Sequence, residues 1–423
     1  MLTKMFKQKE TRNKLLFILF SIIILRIGCY LPVPFVDTNS VKSFFENNSD
    51  GFSLLNLFTG GSLENFSILS LSITPYITAS IIIQLLGISF PKIEELQKDG
   101  ESGKTTYNKI MKLTTVGLSI IEAIGLLITY TRNGLISLNA WSAIVVVVSF
   151  TAGAMFLMWL GDEITKHGFG NGISIILAIN ILSRIPKDLY SLYQMFIQGK
   201  DVVKMILVAL VIISIILITI LLVIILDGAE RVIPINSSKK VGTAHNFAGS
   251  NLPIKVNIAG VVPIIFASTL LSMPIMIASF FGGNGEWSGY FSQNSWFNSM
   301  NWKYTIGYIA YAVLVVFFAY FYTQVTFNTT EVATNLKKSG QMVPGIRPGS
   351  STIEYLNNIV NPLIAIGSIW LLFIVTIPMV FNGSFNASVS FGGTSIVIVV
   401  GVIIETVNQI KGQLTSFSHA RFI

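Results

Sequence analysis

Apolar runs close to the ~20 residues that cross a bilayer as a helix recur along the whole chain. They centre on 15–32, 68–87, 111–130, 141–160, 173–185, 204–226, 256–280, 304–326, 358–381 and 394–410. This pattern predicts an all-α integral membrane protein with ten transmembrane helices, the fifth short and the ninth opening in the polar string YLNNIVNPL. An even number of spans puts both termini on one side. One stretch does not fit a plain anchor: Leu54 to Leu86, LLNLFTGGSLENFSILSLSITPYITASIIIQLL, is interrupted by Gly60, Gly61, Ser62, Glu64 and Asn65. A helix broken at membrane depth cannot show its backbone to lipid and needs a protein-lined cavity, so this stretch reads as part of a pore. Its second part is long enough to span, with Pro75 near its start, where a missing amide donor is tolerated or kinks the helix.

Composition points the same way. Hydrophobic residues make up 52% of the 423 residues, charged residues 11%, and mean hydropathy is +0.69, which excludes an ordinary soluble domain. The N-terminus carries Lys4, Lys7, Lys9, Arg12 and Lys14 ahead of LLFILFSIIILRIGCYLPVP; the apolar part reaches spanning length and has no A-x-A-like cleavage site, so it reads as a retained first span. Cys29 is the only cysteine, which excludes an intramolecular disulfide and a cysteine metal cluster. The net charge of +8 is mainly topological: with the N-terminus inside, about 20 of the 28 basic residues fall in inner segments and about seven outside. Three inner segments gather that charge: Lys92 to Lys112, Asp227 to Lys255 and Asn328 to Glu354. The last two, about 25–30 residues each, exceed the usual connection length, as expected of docking surfaces.

Ionisable residues inside the runs mark functional candidates: Arg26, Glu122 in SIIEAIGLL, and Glu405 in GVIIETVNQI. The bland alternative for Arg26 and Glu405 is local pairing that holds helices together. Enzyme-like fragments fail on their mechanics. Gly168, Gly170 and Gly172 lack the preceding strand of a dinucleotide loop, and Gly103-Lys104-Thr105 has Lys98 where a phosphate loop needs its first glycine. His167, His245 and His419 lack ligand-spaced partners. The residues alone therefore indicate a membrane conduit or transporter without catalytic residues, cofactor or metal, carrying basic inner loops for a partner.

A set of ordered strings goes further. RIGCYLPVP from Arg26, NLFTGGSLENFSILSLSITPYITASIIIQLL from Asn56, KDGESGKTTYNKI from Lys98, TAGAMFLMWLGDEITKHGFGNGISII from Thr151, LPIKVNIAGVVPIIFAS from Leu252, EVATNLKKSGQMVPGIRPGSST from Glu331 and FGGTSIVIVV from Phe391 resemble the SecY family of protein-translocation channel subunits along nearly the whole chain. The resemblance implies two pseudo-symmetric halves of five helices, residues 1–193 and 194–423, around an hourglass pore with a short re-entrant plug helix at about 52–64. It implies a lateral opening between the second and third spans on one side and the seventh and eighth on the other. It also implies a pore ring of Ile73, Ile77, Ile173, Leu177, Ile265 and Ile398. Flexible aliphatic side chains suit that task, because they seal by dewetting yet yield to any passing chain. The pairs 73/77 and 173/177 have the i, i+4 spacing of one helix face. Ordinary interhelical packing is the alternative for these six.

The plug expected from the resemblance includes Leu57, Phe58, Gly60, Gly61 and Leu63, with Gly60 and Gly61 allowing a sharp bend and Ser62, Glu64 and Asn65 facing an outer watery funnel. Glu122 falls at the lateral gate, where the family often carries Gln. Arg231, Lys239, Lys240 and Arg347 are expected to dock cytosolic partners, Arg347 on a turn constrained by Gly345, Pro348 and Gly349 that offers a guanidinium for bidentate contacts. Those partners are the SecA ATPase and the ribosome, through rRNA phosphates and ribosomal proteins. SecE and SecG subunits, SecDF and YidC are further partners implied, alongside membrane lipid and an unfolded preprotein with its signal sequence. The implied setting is the cytoplasmic membrane with both termini cytosolic. A secondary transporter of small solutes is the competing reading, disfavoured by the apolar interior and sparse buried charge.

Overall fold

In lipid a chain satisfies its backbone groups most simply as helix, and the apolar runs do so here. The computed structural model describes residues 8–36, 38, 41–42, 56, 58–98, 100–136, 139–194, 202–237, 250–281, 288–297, 302–385 and 394–420. Its main helices are α1 (Lys9–Tyr30), α2 (Thr74–Ser89), α3 (Pro91–Lys98), α4 (Gly100–Arg132), α5 (Ala140–His167), α6 (Gly172–Leu192), α7 (Val202–Gly228), α8 (Val262–Phe281), α9 (Ile306–Thr326), α10 (Thr329–Lys338), α11 (Ser350–Phe385) and α12 (Thr394–Ala420). A helix thus lies at each expected run. Among the described residues, seven helices are long and apolar enough to cross a membrane, and α2 and α8 are shorter apolar helices.

Two boundaries differ from expectation. The second span starts at Thr74 and not near 68, because Ser72 takes a left-handed φ of +52° and Pro75 sits in the first helical turn, where its missing N–H costs nothing. Ile73 is therefore the N-cap, although Ile77 N still donates to Ile73 O at 3.0 Å. The fifth helix is not short: α6 runs 21 residues, with Asn171 capping it by accepting from the Ile173 and Ser174 amides. Its polar residues Asn180, Ser183, Arg184, Lys187 and Asp188 hide it from a hydropathy reading.

The long inner segments also hold a small sheet that the all-helical expectation did not include. Strand β1 (Glu230–Ser237) pairs antiparallel with β2 (Ser250–Lys255), Glu230 opposite Lys255 and Ile235 opposite Ser250; its far end pairs with β3 (Gln341–Met342), giving the order β2-β1-β3. Ile233, Ile235 and Ile254 point inward and are buried, while Arg231, Val232 and Pro234 are exposed. Ile233 and Ile254 pack with Ala333 of α10, Val343, and Leu356, Val360 and Ile364 of α11, so one apolar core ties both inner segments together.

Helices α1, α2, α4, α5 and α6 pack on one another, as do α7, α8, α9, α11 and α12, and the two groups meet where α6 touches α12 and where α8 packs against both α2 and α4. The α5–α6 crossing is close enough that a Cβ on Gly172 would lie 2.0 Å from the Gly161 carbonyl oxygen.

Candidate functional site

The six predicted ring positions come from four segments, α2 with its N-cap, α6, α8 and α12. Ile73, Ile77, Leu177, Ile265 and Ile398 belong to one buried apolar cluster, with Ile173 packed against it and Phe58 of the expected plug inside it. Ile73, Leu177 and Ile398 are at most 1% exposed. Ile173 lies in the first turn of α6 and reaches back to α5, its Cδ1 2.5 Å from where a Gly161 Cβ would be.

The segment ahead of α2 is folded between two clusters, with Phe58 and Leu69 in this one and Leu63, Phe66 and Leu71 in a second. Gly60 and Gly61 both have positive φ, +65° and +84°, the bend expected of them. A Cβ on Gly60 would sit 2.8 Å from Arg26 Nη2 and 2.9 Å from Asn180 Cα, so only glycine fits there. Phe58 and Leu63 are buried; Leu57 lies outside the described residues. Ser62 does not face a watery funnel: it is fully buried, its hydroxyl donating to Thr59 O at 2.8 Å and Leu69 O at 2.9 Å. A bridge between Pro32 and Ser67, with Val33 N on Phe66 O and Ile68 N on Leu31 O, both 3.0 Å, fastens the segment to the end of α1.

What holds the segment to α6 was not anticipated. Asn180, Ser183, Arg184 and Lys187 are spaced as one helix face and all meet residues 56–64. Asn180 is 1% exposed. Its amide donates to Phe58 O at 3.0 Å and Ser72 Oγ at 3.1 Å, and its Oδ1 accepts from Arg26 Nη2 at 2.8 Å. Ser183 Oγ reaches Gly60 O at 3.4 Å. Glu64 pairs with Arg184 at 3.4 Å and with Lys187, and accepts from Asn56 Nδ2 at 3.2 Å. Burial pushes the Glu64 carboxyl up, but the Lys187 hydrogen bond and charge, the Arg184 charge and the Asn56 amide outweigh it and hold the group below its ordinary range. The signal available in the sequence was the 180-183-184-187 spacing.

The other candidates are dispersed. Among the described residues Arg26 has no acidic partner; it donates to Asn180 Oδ1 and to Cys29 Sγ, the latter at 3.2 Å. Glu122 is buried on α4, the helix that meets α8. Glu405 is exposed on α12, within the apolar stretch Thr394–Gln413 that is long enough to cross a membrane. Arg231 stands exposed on β1 and Arg347 exposed between Gly345 (φ +79°) and Gly349 (φ +120°), its carbonyl accepting from Thr352 Oγ1 at 3.0 Å. Lys239 and Lys240 lie outside the described residues.

Comparisons with known proteins bear on the family and the fold. The SecY family model matches residues 67–407. The protein translocase subunit SecY of Streptomyces galbus is 37% identical over 442 residues, covering 99% of this chain and 98% of that protein. That of Bacillus subtilis is 38% identical, covering 98% and 97%, and that of Vibrio cholerae 35%, covering 97% and 93%. Among solved structures, a protein-conducting channel superposes with a TM-score of 0.68 at 18% identity, covering 96% of this chain and 93% of that one. Sec61 of a canine ribosome–channel complex superposes with a TM-score of 0.65 at 18% identity and the same coverage. The fold is that of these channels, and by end-to-end similarity to its relatives the chain belongs to the SecY family.

Proposed function

We propose that this chain is the channel subunit that passes unfolded secretory polypeptides across the cytoplasmic membrane and releases apolar segments sideways into lipid. One observation supports the reading: five of the six aliphatic side chains, drawn from α2 and its N-cap, α6, α8 and α12, share one buried apolar cluster that also takes in Phe58 of the plug, and Ile173 packs against it. A conduit for chains of any sequence cannot rely on specific hydrogen bonds, and an aliphatic constriction stops water and ions without them. In this reading Ile73, Ile77, Ile173, Leu177, Ile265 and Ile398 form the ring, residues up to about Glu64 form the plug, and the α2/α4–α8 seam with Glu122 is the lateral gate. A segment leaving through that seam is sorted by its transfer free energy, each central Leu or Ile favouring lipid by ~0.3–0.6 kcal/mol and each charge opposing it by ~2.5–3.5.

The two helix groups act as halves, residues 1–193 and 194–423, clamped by SecE, with SecG at the periphery and both termini cytosolic. The chain performs no chemistry of its own. SecA or a translating ribosome supplies the drive, docking on the segments that carry Arg231 and Arg347. The canine relative was solved in a ribosome complex, which supports this side of the reading.

A photo-crosslinking residue at Ile265 tests the function. With a secretory chain arrested in transit, the probe should crosslink to that chain and lose the crosslink when the chain is released. Small-solute uptake without any crosslink would overturn the channel in favour of a transporter.

A further inference from the structure

The plug assigned above is not held by packing alone. Its apolar face, Phe58 and Leu63, is buried, but its outer end depends on charge: Glu64 reaches two cations of α6 one helical turn apart, and Arg184 also donates to Asn56 O at 3.5 Å. Glu64 and Arg184 side chains are only 13% and 11% exposed, whereas Lys187 is 54% exposed. One bond of the pair is therefore sheltered and the other is open to the outer solution.

The same region is built to come apart. Phe66 and Ser72, neither of them glycine, have left-handed φ of +48° and +52°, a conformation that costs free energy and persists only when the surroundings impose it. Arg184 Nε, Arg26 Nε and Asn56 Oδ1 are buried without a hydrogen-bond partner among the described residues, and such orphaned groups weaken the closed arrangement. Strain and unmet polar groups lie on both sides of the plug while the ionic contacts oppose them. Removing those contacts should let the stored cost favour release.

We propose that Arg184 and Lys187 of α6 are positioning residues for the plug, holding Glu64 in an ionic latch that is made in the closed channel and broken each time it opens. The proposal rests on the plug assignment in the preceding subsection. Below the latch, the Asn180–Phe58–Ser72–Arg26 hydrogen bonds form a neutral-to-cationic tier sheltered from solvent. Salt therefore acts on the outer tier and spares the inner one.

The test uses the full complex, with its partner subunits, in planar bilayers without preprotein, counting spontaneous openings. Glu64→Gln, and separately Arg184→Glu with Lys187→Glu, should each open about tenfold more often than the unaltered complex, the size expected for losing a part-buried charged hydrogen bond. Combining Glu64→Lys with Arg184→Glu and Lys187→Glu should restore closure, which a purely structural role for these side chains would not do. High salt on the outer side should raise openings of the unaltered complex and leave Glu64→Gln unmoved. The proposal is overturned if Glu64→Gln opens no more often, or if the charge swap fails to restore closure in an assembled complex. Where a variant fails to assemble, the salt response of the unaltered complex decides, and its absence overturns the latch. Preprotein transport by the unaltered complex is scored in parallel: failure there would sink the channel reading itself, whatever the latch measurements give.

Discussion

Asn180 sits 1% exposed in the middle of α6, yet its amide donates to Phe58 O and Ser72 Oγ and its Oδ1 accepts from Arg26, which makes a polar group at that depth tolerable. Glu64, nearer the outer water, is the residue whose protonation matters. The groups that face it are Arg184 and Lys187 from α6 and Asn56 from its own segment. Because its carboxyl is held below the ordinary range when paired, the pairing contributes in full above the unpaired pKa of ~4.3 and is lost as pH falls through the depressed value. Acidifying the outer side of sealed vesicles should therefore leave ion leak unchanged down to about pH 4 and raise it below. Glu64→Gln should leak more at neutral pH and show no such rise; an identical acid response in that variant would reassign the titration to another group. The shared apolar burial of Ile73, Ile77 and Leu177 was legible because they sit in recognisable strings with helical spacing. The latch was not, since Glu64 and Arg184 are separated by 120 residues and an isolated charge near a span's outer end reads as topology.

At the scale of elements, the three-stranded sheet was overlooked for a physical reason: ERVIPINS is short, contains Pro234, and lies inside a charged segment, so its alternation of Ile233 and Ile235 with outward residues is faint. Pro234 is exposed on β1 and pairs across to Asn251. The start of α2 was misplaced because hydropathy cannot see that Ser72 turns left-handed, while the length of α6 was missed because its polar face serves a partner inside the protein. The sheet matters because it and the apolar core beneath it hold the Arg231 and Arg347 segments as one body. If that body is the docking platform, Arg347→Glu should reduce secretion by at least about tenfold, the scale of one lost buried or bidentate charge contact, with complex abundance unchanged on a membrane blot. Unimpaired secretion would remove Arg347 from the platform. Its exposed side chain and glycine-flanked turn give no reason to expect a folding defect.

Across the whole molecule, α2 is where the proposed pore, plug and seam meet. Ile73 and Ile77 place its start in the main apolar cluster, the Ser72 hydroxyl donates to Phe58 O at 3.2 Å, and α8 packs on it and on α4. A packed interface of this kind has discrete arrangements and does not stretch continuously, so parting α8 from α2 must disturb the plug's footing, and freezing the plug must resist parting. Covalent tethering measures that coupling. Glu64 Oε1 and Lys187 Nζ meet across the plug and α6, so Glu64→Cys with Lys187→Cys, on a chain with Cys29→Ser, sets one thiol on each side for a reducible thiol cross-linker that spans the two lost side chains. Replacing Cys29 first removes the only native thiol. Cross-linking should stop translocation of a secretory chain and reduction should restore it, with the unlinked double variant reporting separately on the loss of the Glu64 pairing itself. The decisive measurement is membrane insertion of an apolar segment by the cross-linked channel. Coupling through α2 requires insertion to stop together with secretion. Insertion that continues while secretion is blocked would show that the seam opens independently of the plug, leaving α2 a shared wall and not a transmission element.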